Sequence, residues 1–142
     1  MPSDKQPRFV TSRRVEFVDT DMAGIVHFSN FFRYMEAAEH AFLRSRGLSF
    51  QVHHEGVEYG LPRVSASCDY LTPARFADVL TISVAVDRLG RSSVAYAFDF
   101  SRDGEAIARG KVTSVFCRSE DGRLKACEMP AAFRAKLELG GE

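Results

Sequence analysis

Between Val64 and Phe116, apolar residues fall at alternate positions in successive segments, the spacing of strands that turn one face to a core. In 63–71, Val64, Ala66, Cys68 and Tyr70 alternate with Ser65, Ser67 and Asp69, and Thr72-Pro73 closes the run. Leu80, Ile82, Val84 and Val86 share one side of 79–88, and Val94, Tyr96, Phe98 and Phe100 share one side of 93–101. Over 105–117 the pattern is mixed, with Ile107, Val115 and Cys117 on one side and Ala106, Ala108, Val112 and Phe116 on the other. The joins around Gly90 and at Asp103-Gly104 are short, which demands antiparallel neighbours, and Asp121-Gly122 follows the last strand.

A second period governs the segment from Asn30 to Arg46, where Phe31, Met35, Ala38 and Phe42 recur every three or four residues without a Gly or Pro. This predicts one long helix with an apolar stripe; Phe32, Arg33, Glu36, Glu39 and Arg44 take the other, mixed faces. Ser29 or Asn30 is placed to cap its start and Gly47 to end it in a left-handed turn. Phe32 stands where a capping box needs Glu or Gln. A first strand is expected over 9–18, where Val15 and Phe17 alternate with polar neighbours. Residues 48–60 read as a short turn of helix plus loop, with His53 and His54 solvated; adjacent histidines diverge, which speaks against a two-ligand metal site. Pro130 suits the first turn of a C-terminal helix that runs to about Leu139, with Phe133 and Leu137 on one face.

One apolar helix stripe and one apolar sheet face bury each other if an antiparallel sheet wraps the helix, an α+β arrangement; the pattern also allows another α+β sandwich. The chain has 142 residues, enough for one domain, here 8–139 behind a flexible tail of 1–7. Its 19 basic and 19 acidic residues balance, so it offers no general field for nucleic acid or acidic membranes. The N-terminus carries charge but no signal-type apolar run, and no apolar stretch approaches a membrane span, so a cytoplasmic location is expected. Cys68, Cys117 and Cys127 are odd in number and lack C-x-x-C spacing, which argues against disulfides and structural zinc; Cys68 and Cys117 read as small buried residues.

Candidate chemistry lies just before the long helix. Asp19 and Asp21 follow the first strand, and Gly24 allows a tight turn that delivers a carboxylate close to the helix N-terminus. That end carries unpaired N–H groups and partial positive charge, and can hold an oxygen that becomes negative during a reaction. A base or nucleophile beside such a site is what acyl transfer requires. The plainer alternative is that Asp21 caps the helix or the amides of its own loop.

The run DTDMAGIVHFSNFFRYMEAAEHAFLRSRG, with the segments GLPRVSASCDYLTPARFADVLTI and DGRLKACEMP, resembles the hotdog-fold acyl-CoA thioesterases, in particular the 4-hydroxybenzoyl-CoA thioesterase branch with its D-x-D-x-x-G-x-V signature. The resemblance spans nearly the whole chain. It implies a hotdog fold and hydrolysis of an acyl- or aroyl-CoA thioester to free acid and CoA, with no cofactor besides the CoA of the substrate and no metal. Asp21 matches the family's catalytic carboxylate, as nucleophile or general base. Gly24 and the amides near Phe28 would form the oxyanion site, His27 is a candidate donor to the leaving sulfur or an aromatic filler, and Asp19 would orient the loop. Glu36, with Glu39 behind it, is the reserve carboxylate and a substrate contact; an i,i+4 pair of Glu36 with His40 is the structural alternative. Arg88 and Arg91, and more weakly Arg109 and Lys111, are candidates for the CoA phosphates, although the stretch Leu89-Gly90-Arg91-Ser92 is less basic than in the family's aryl-specific member. The resemblance further implies a homodimer or dimer of dimers, a homotetramer, with sites at subunit boundaries. A hotdog hydratase or dehydratase using His27 with Asp21, and a non-catalytic acyl-CoA binder, are the rival readings.

Overall fold

A computed structural model describes residues 9–138; the expected tail at 1–7 and the end of the last helix at Leu139 lie outside the described residues. The elements are β1 (Phe9–Arg14), α1 (Asn30–Ser45), β2 (Gln51–His54), β3 (Val57–Gly60), β4 (Arg63–Tyr70), β5 (Val79–Leu89), β6 (Ser93–Arg102), β7 (Glu105–Val115), β8 (Cys117–Glu120), β9 (Arg123–Ala126) and α2 (Ala131–Glu138). A five-stranded antiparallel sheet runs β1-β5-β6-β7-β4, and a four-stranded sheet runs β2-β3-β8-β9. Together they wrap α1, the α+β hotdog arrangement.

The core forms where the helix stripe meets the alternating face of the central strands. Phe31, Tyr34, Met35, Ala38, Phe42 and Leu43 of α1 are buried, as are Leu80, Ile82 and Val84 of β5 and Val94, Tyr96, Phe98 and Phe100 of β6. Edge-to-face aromatic pairs bind the layers, with Phe31 to Phe100 at 5.3 Å and Phe42 to Tyr96 at 5.9 Å between centroids. At Gly110 a Cβ would stand 2.3 Å from the Met35 sulfur, so the absence of a side chain in mid-strand lets α1 press onto β7. On α2, Phe133 and Leu137 are buried as the periodicity requires, and Phe133 packs on Phe116 at 5.1 Å.

Several expectations are corrected. The first strand stops at Arg14, and Phe17–Asp19 is a 3₁₀ turn, because the Asp19 carboxylate takes the Glu16 amide at 3.0 Å and folds the chain back. Residues 51–60 form the hairpin β2–β3 rather than a helical turn, so His53 and His54 are exposed strand residues. A second unexpected hairpin, β8–β9, turns on Asp121-Gly122. The alternation of β4 does not mark burial: it is one of the two edge strands of the larger sheet, and Val64 is 62% and Tyr70 46% exposed. Glu39, expected on the mixed faces of α1, lies among its buried residues.

Candidate active site

The segment between Thr20 and Asn30 forms a compact turn at the head of α1. Thr20 bridges to Val26 and Ile25 to Arg75, while the Val15 amide donates to Asp78 O at 2.8 Å, so the turn is stitched to the start of β5. The Asp21 N–H donates to Ile25 O at 2.9 Å and the Gly24 N–H to Asp21 O at 2.9 Å. Gly24 has φ of +81°, a backbone conformation that side-chain-bearing residues adopt at a cost.

Within this turn the two aspartates divide. Asp19 is buried; its Oδ2 accepts from the Glu16 amide and from the Tyr34 hydroxyl at 2.8 Å, and its carbonyl accepts from the His27 amide and from Asn30 Nδ2. Burial, and next the bond to Asp19, push the Tyr34 phenol well above its ordinary range, so it remains a donor. Asp19 therefore holds the loop to the helix. Asp21 is half-exposed, and both amides it receives, Ala23 at 2.9 Å and Ile25 at 3.4 Å, fall on Oδ1. The loop-capping alternative is thus realised on one carboxylate oxygen; among the described residues Oδ2 has no hydrogen-bond partner. A carboxylate fixed through one oxygen is oriented while the other oxygen keeps its lone pairs for a further partner.

The helix start is not capped as expected. Ser29 makes no side-chain cap; its hydroxyl meets His27 Nδ1 at 2.8 Å, and Asn30 turns its amide group back to Asp19. The His27 amide goes to Asp19 O, the Ser29 amide to His27 Nδ1 at 3.3 Å and the Asn30 amide to His27 O at 2.9 Å. Among the described residues the Phe28 N–H donates to no acceptor. Because Nδ1 of His27 accepts from a backbone amide, a neutral ring carries its proton on Nε2. The His27 ring stacks on Phe28 at 4.6 Å, and both side chains are exposed.

Other candidates are held elsewhere. Glu36 pairs with Arg63 Nη1 at 3.3 Å and Glu39 with Arg63 Nη2 at 2.5 Å, so one guanidinium on β4 serves both helix carboxylates. The expected Glu36 pair with His40 is replaced by this bridge; His40 stacks on Phe50 instead, at 5.0 Å. Burial holds the Glu39 carboxyl above its ordinary value, against the pull of Arg63. Arg88 and Arg91 sit at the far end of the β5–β6 hairpin, whose carbonyls at Gly90 and Arg91 are gripped by Arg134 of α2. The Asp21 turn is anchored at the opposite end of β5, so at about 3.3 Å per strand residue it lies roughly 30 Å from these arginines in the same chain. Arg109 pairs with Asp99 at 3.5 Å.

Sequence reasoning passed over two residues. Arg75 bridges Ile25, and its Nη1 stands 4.0 Å from where a Gly24 Cβ would be, a cation at the turn itself. Tyr70, at the end of β4, donates from its hydroxyl to Phe28 O at 3.0 Å. Neither has a local signal, since both reach the turn from distant sequence. Phe17, Val18, Met22 and Phe28, all in or beside the turn, are exposed, and Phe76 packs on Phe17 at 5.9 Å. Cavities of about 360 Å³, beside Leu48, Val52, Phe133 and Lys136, and about 310 Å³, beside Phe50, Tyr59 and Arg63, are not lined by the turn. Burial pushes the Cys68 thiol up to about 11, which disfavours thiolate chemistry there. Among the described residues no group of three or more His, Cys, Asp or Glu is gathered to hold a metal ion, and no helix is long and apolar enough to cross a membrane.

A wrapped central helix with an aspartate turn at its head defines the class, and comparison agrees: the chain belongs to the thioesterase-like superfamily, whose family model matches residues 15–137. The general activity of the superfamily's hotdog members is hydrolysis of acyl-CoA thioesters, and this chain stands close to the branch of 4-hydroxybenzoyl-CoA thioesterases and 1,4-dihydroxy-2-naphthoyl-CoA hydrolases. It is 33% identical over 129 residues to the 4-hydroxybenzoyl-CoA thioesterase of Pseudomonas sp. (strain CBS-3), covering 85% of this chain and 91% of that one. It is 30% identical over 120 residues to the 1,4-dihydroxy-2-naphthoyl-CoA hydrolase of Synechocystis sp. (strain ATCC 27184 / PCC 6803 / Kazusa), covering 83% and 86%. A 4-hydroxybenzoyl CoA thioesterase carrying an aspartate-to-asparagine change, solved complexed with 4-hydroxybenzoyl CoA, superposes with a TM-score of 0.80 at 26% identity, over 92% of this chain and 98% of that one.

Proposed function

We propose that the chain hydrolyses an acyl- or aroyl-CoA thioester, with Asp21 as the group that acts on the thioester carbonyl and the Phe28 N–H as the donor to its oxygen. The observation that carries this reading is the pairing, in one turn, of a carboxylate anchored through a single oxygen with a backbone amide that has no acceptor among the described residues. As a nucleophile, Asp21 adds to the carbonyl carbon, the C–S bond breaks, and an acyl-aspartyl anhydride and CoA thiolate result; water then cleaves the anhydride. As a general base, it takes a proton from the water that attacks. In both routes negative charge grows on the carbonyl oxygen, and a fixed amide at the positive end of α1 stabilises it. His27, with its proton on Nε2, is the candidate donor to the departing sulfur.

In one chain the turn lies at the surface, outside the two cavities, with apolar Phe17, Val18, Met22 and Phe28 uncovered beside it. Together with the unpaired edge of β4, this supports a homo-oligomer in which a second copy completes the acyl pocket. On that reading Arg88 and Arg91 serve the CoA phosphates of a site on a neighbouring subunit, while Arg75 is the cation that the chain offers to its own. Glu36, paired with Arg63, is left a substrate-contact role.

The test is release of CoA from 4-hydroxybenzoyl-CoA, 1,4-dihydroxy-2-naphthoyl-CoA and short and long aliphatic acyl-CoAs, by the wild type and by Asp21→Asn. Loss of general-base or nucleophilic action is worth about 10²- to 10⁴-fold in kcat, and the variant should fold because Asn retains an oxygen for the Ala23 amide. Turnover near wild type in Asp21→Asn would remove Asp21 from the mechanism. Hydration of an enoyl-CoA without CoA release would favour the hydratase reading.

A further inference from the structure

The Phe28 N–H belongs to the peptide between His27 and Phe28, and the plane of that peptide is set by the His27 carbonyl, which accepts from the Asn30 amide. The next peptide, between Phe28 and Ser29, presents its carbonyl to Tyr70 Oη at 3.0 Å. Phe28 is thus clamped between two anchored planes, one held by the head of α1 and the other by a residue of the sheet 42 positions away. The Tyr70 ring is itself fixed edge-to-face against Phe31 at 5.4 Å, and Phe31 against Phe100 of β6 at 5.3 Å. A chain of contacts therefore runs from the centre of the sheet to the turn whose Phe28 amide has no acceptor among the described residues. Burial also holds the phenol above its ordinary value, so its proton is present to be donated throughout the neutral range.

The geometry points to Tyr70 as a positioning residue for thioester hydrolysis: its hydroxyl locks the Phe28–Ser29 peptide and so keeps the Phe28 N–H aimed at the carbonyl oxygen of the substrate. The inference rests on the hydrolase reading above and adds a residue to it. Without the hydroxyl, Phe28 rocks about its own φ and ψ, and a misaimed donor loses effect in the transition state more than in the bound ester, because charge on the oxygen is larger there.

The experiment compares wild type with Tyr70→Phe, which keeps the ring against Phe31 and removes only the donor. The expected result is a fall in kcat of about tenfold, equivalent to about 1.4 kcal/mol, with KM within about twofold of wild type and an unchanged urea midpoint. A change confined to KM, a kcat loss matched by loss of stability, or full wild-type turnover would overturn the assignment. The two readings fail separately. Wild-type protein that releases no CoA from any ester sinks the hydrolase reading and the role of Tyr70 with it, whereas active wild type with an equally active Tyr70→Phe sinks the role of Tyr70 alone.

Discussion

Asp19 with Asp21 in the turn, and Glu36 with Glu39 on α1, are two pairs of acids built alike: in each, one member is buried and the other reaches solvent. They differ in what compensates the charge. Both helix carboxylates are held by the guanidinium of Arg63, a full positive charge. The turn carboxylates are held by amides and a phenol, which orient without neutralising. A carboxylate engaged by a guanidinium is already occupied, whereas Asp21 accepts its amides on Oδ1 alone among the described residues and leaves Oδ2 open to a substrate. The contrast supports the proposal that chemistry lies in the turn rather than on the helix, although the resemblance gave both pairs a claim.

Perturbing each pair sharpens the contrast. The largest effect on stability is expected from Arg63→Ala, which leaves Glu39 buried without its cation; the partial exposure of Arg63 tempers the loss to about 2–3 kcal/mol in urea unfolding. Turnover per folded molecule should be preserved, and a collapse of kcat in a folded protein would move chemistry to the helix. Next is Tyr34→Phe, which takes one of the two donors from Asp19 Oδ2 and should cost about 1–2 kcal/mol.

A pH dependence separates the pairs further. The folded-state pKa of Glu39 is raised above the ordinary 4.5, so the unfolded chain ionises first as pH rises. Its contribution to stability is therefore full below 4.5 and is lost as pH climbs through the folded value. Urea midpoints of wild type and Glu39→Gln should differ in slope over that window, and parallel curves would contradict the burial of a titrating carboxyl. The smallest effect belongs to Glu36→Gln: an exposed partner of a shared arginine, it should change stability by about 0.5 kcal/mol or less and CoA release by less than about twofold.

How far the sequence revealed this molecule depended on the length of each pattern. Strands β5 and β6 carry four apolar positions each on one side, Leu80 to Val86 and Val94 to Phe100, and all but Val86, beside a bulge, are buried. Gln51–His54 and Val57–Gly60 have only two positions per face, too few for alternation to stand out, and their Glu55-Gly56 turn lacks the Asn or Asp of the usual hairpin signal. Periodicity on β4 misled because an edge strand can alternate and still lack a covering layer. Glu39 escaped because its partner is 24 residues away, and a carboxylate is read as polar wherever its counter-charge is hidden. Asp21 stands out as a candidate through the ordered D-x-D-x-x-G-x-V run, while Tyr70 and Arg75 reach the turn only through tertiary contact.

The most direct measurement of the central claim is a crystal structure of Asp21→Asn with 4-hydroxybenzoyl-CoA or whichever ester the wild type hydrolyses fastest. The account predicts the thioester carbonyl oxygen about 2.7–3.1 Å from the Phe28 nitrogen, with the carbonyl carbon facing the side chain of residue 21. A thioester seated beside Arg63 and Glu36, or in the cavity lined by Leu48 and Phe133, would contradict it.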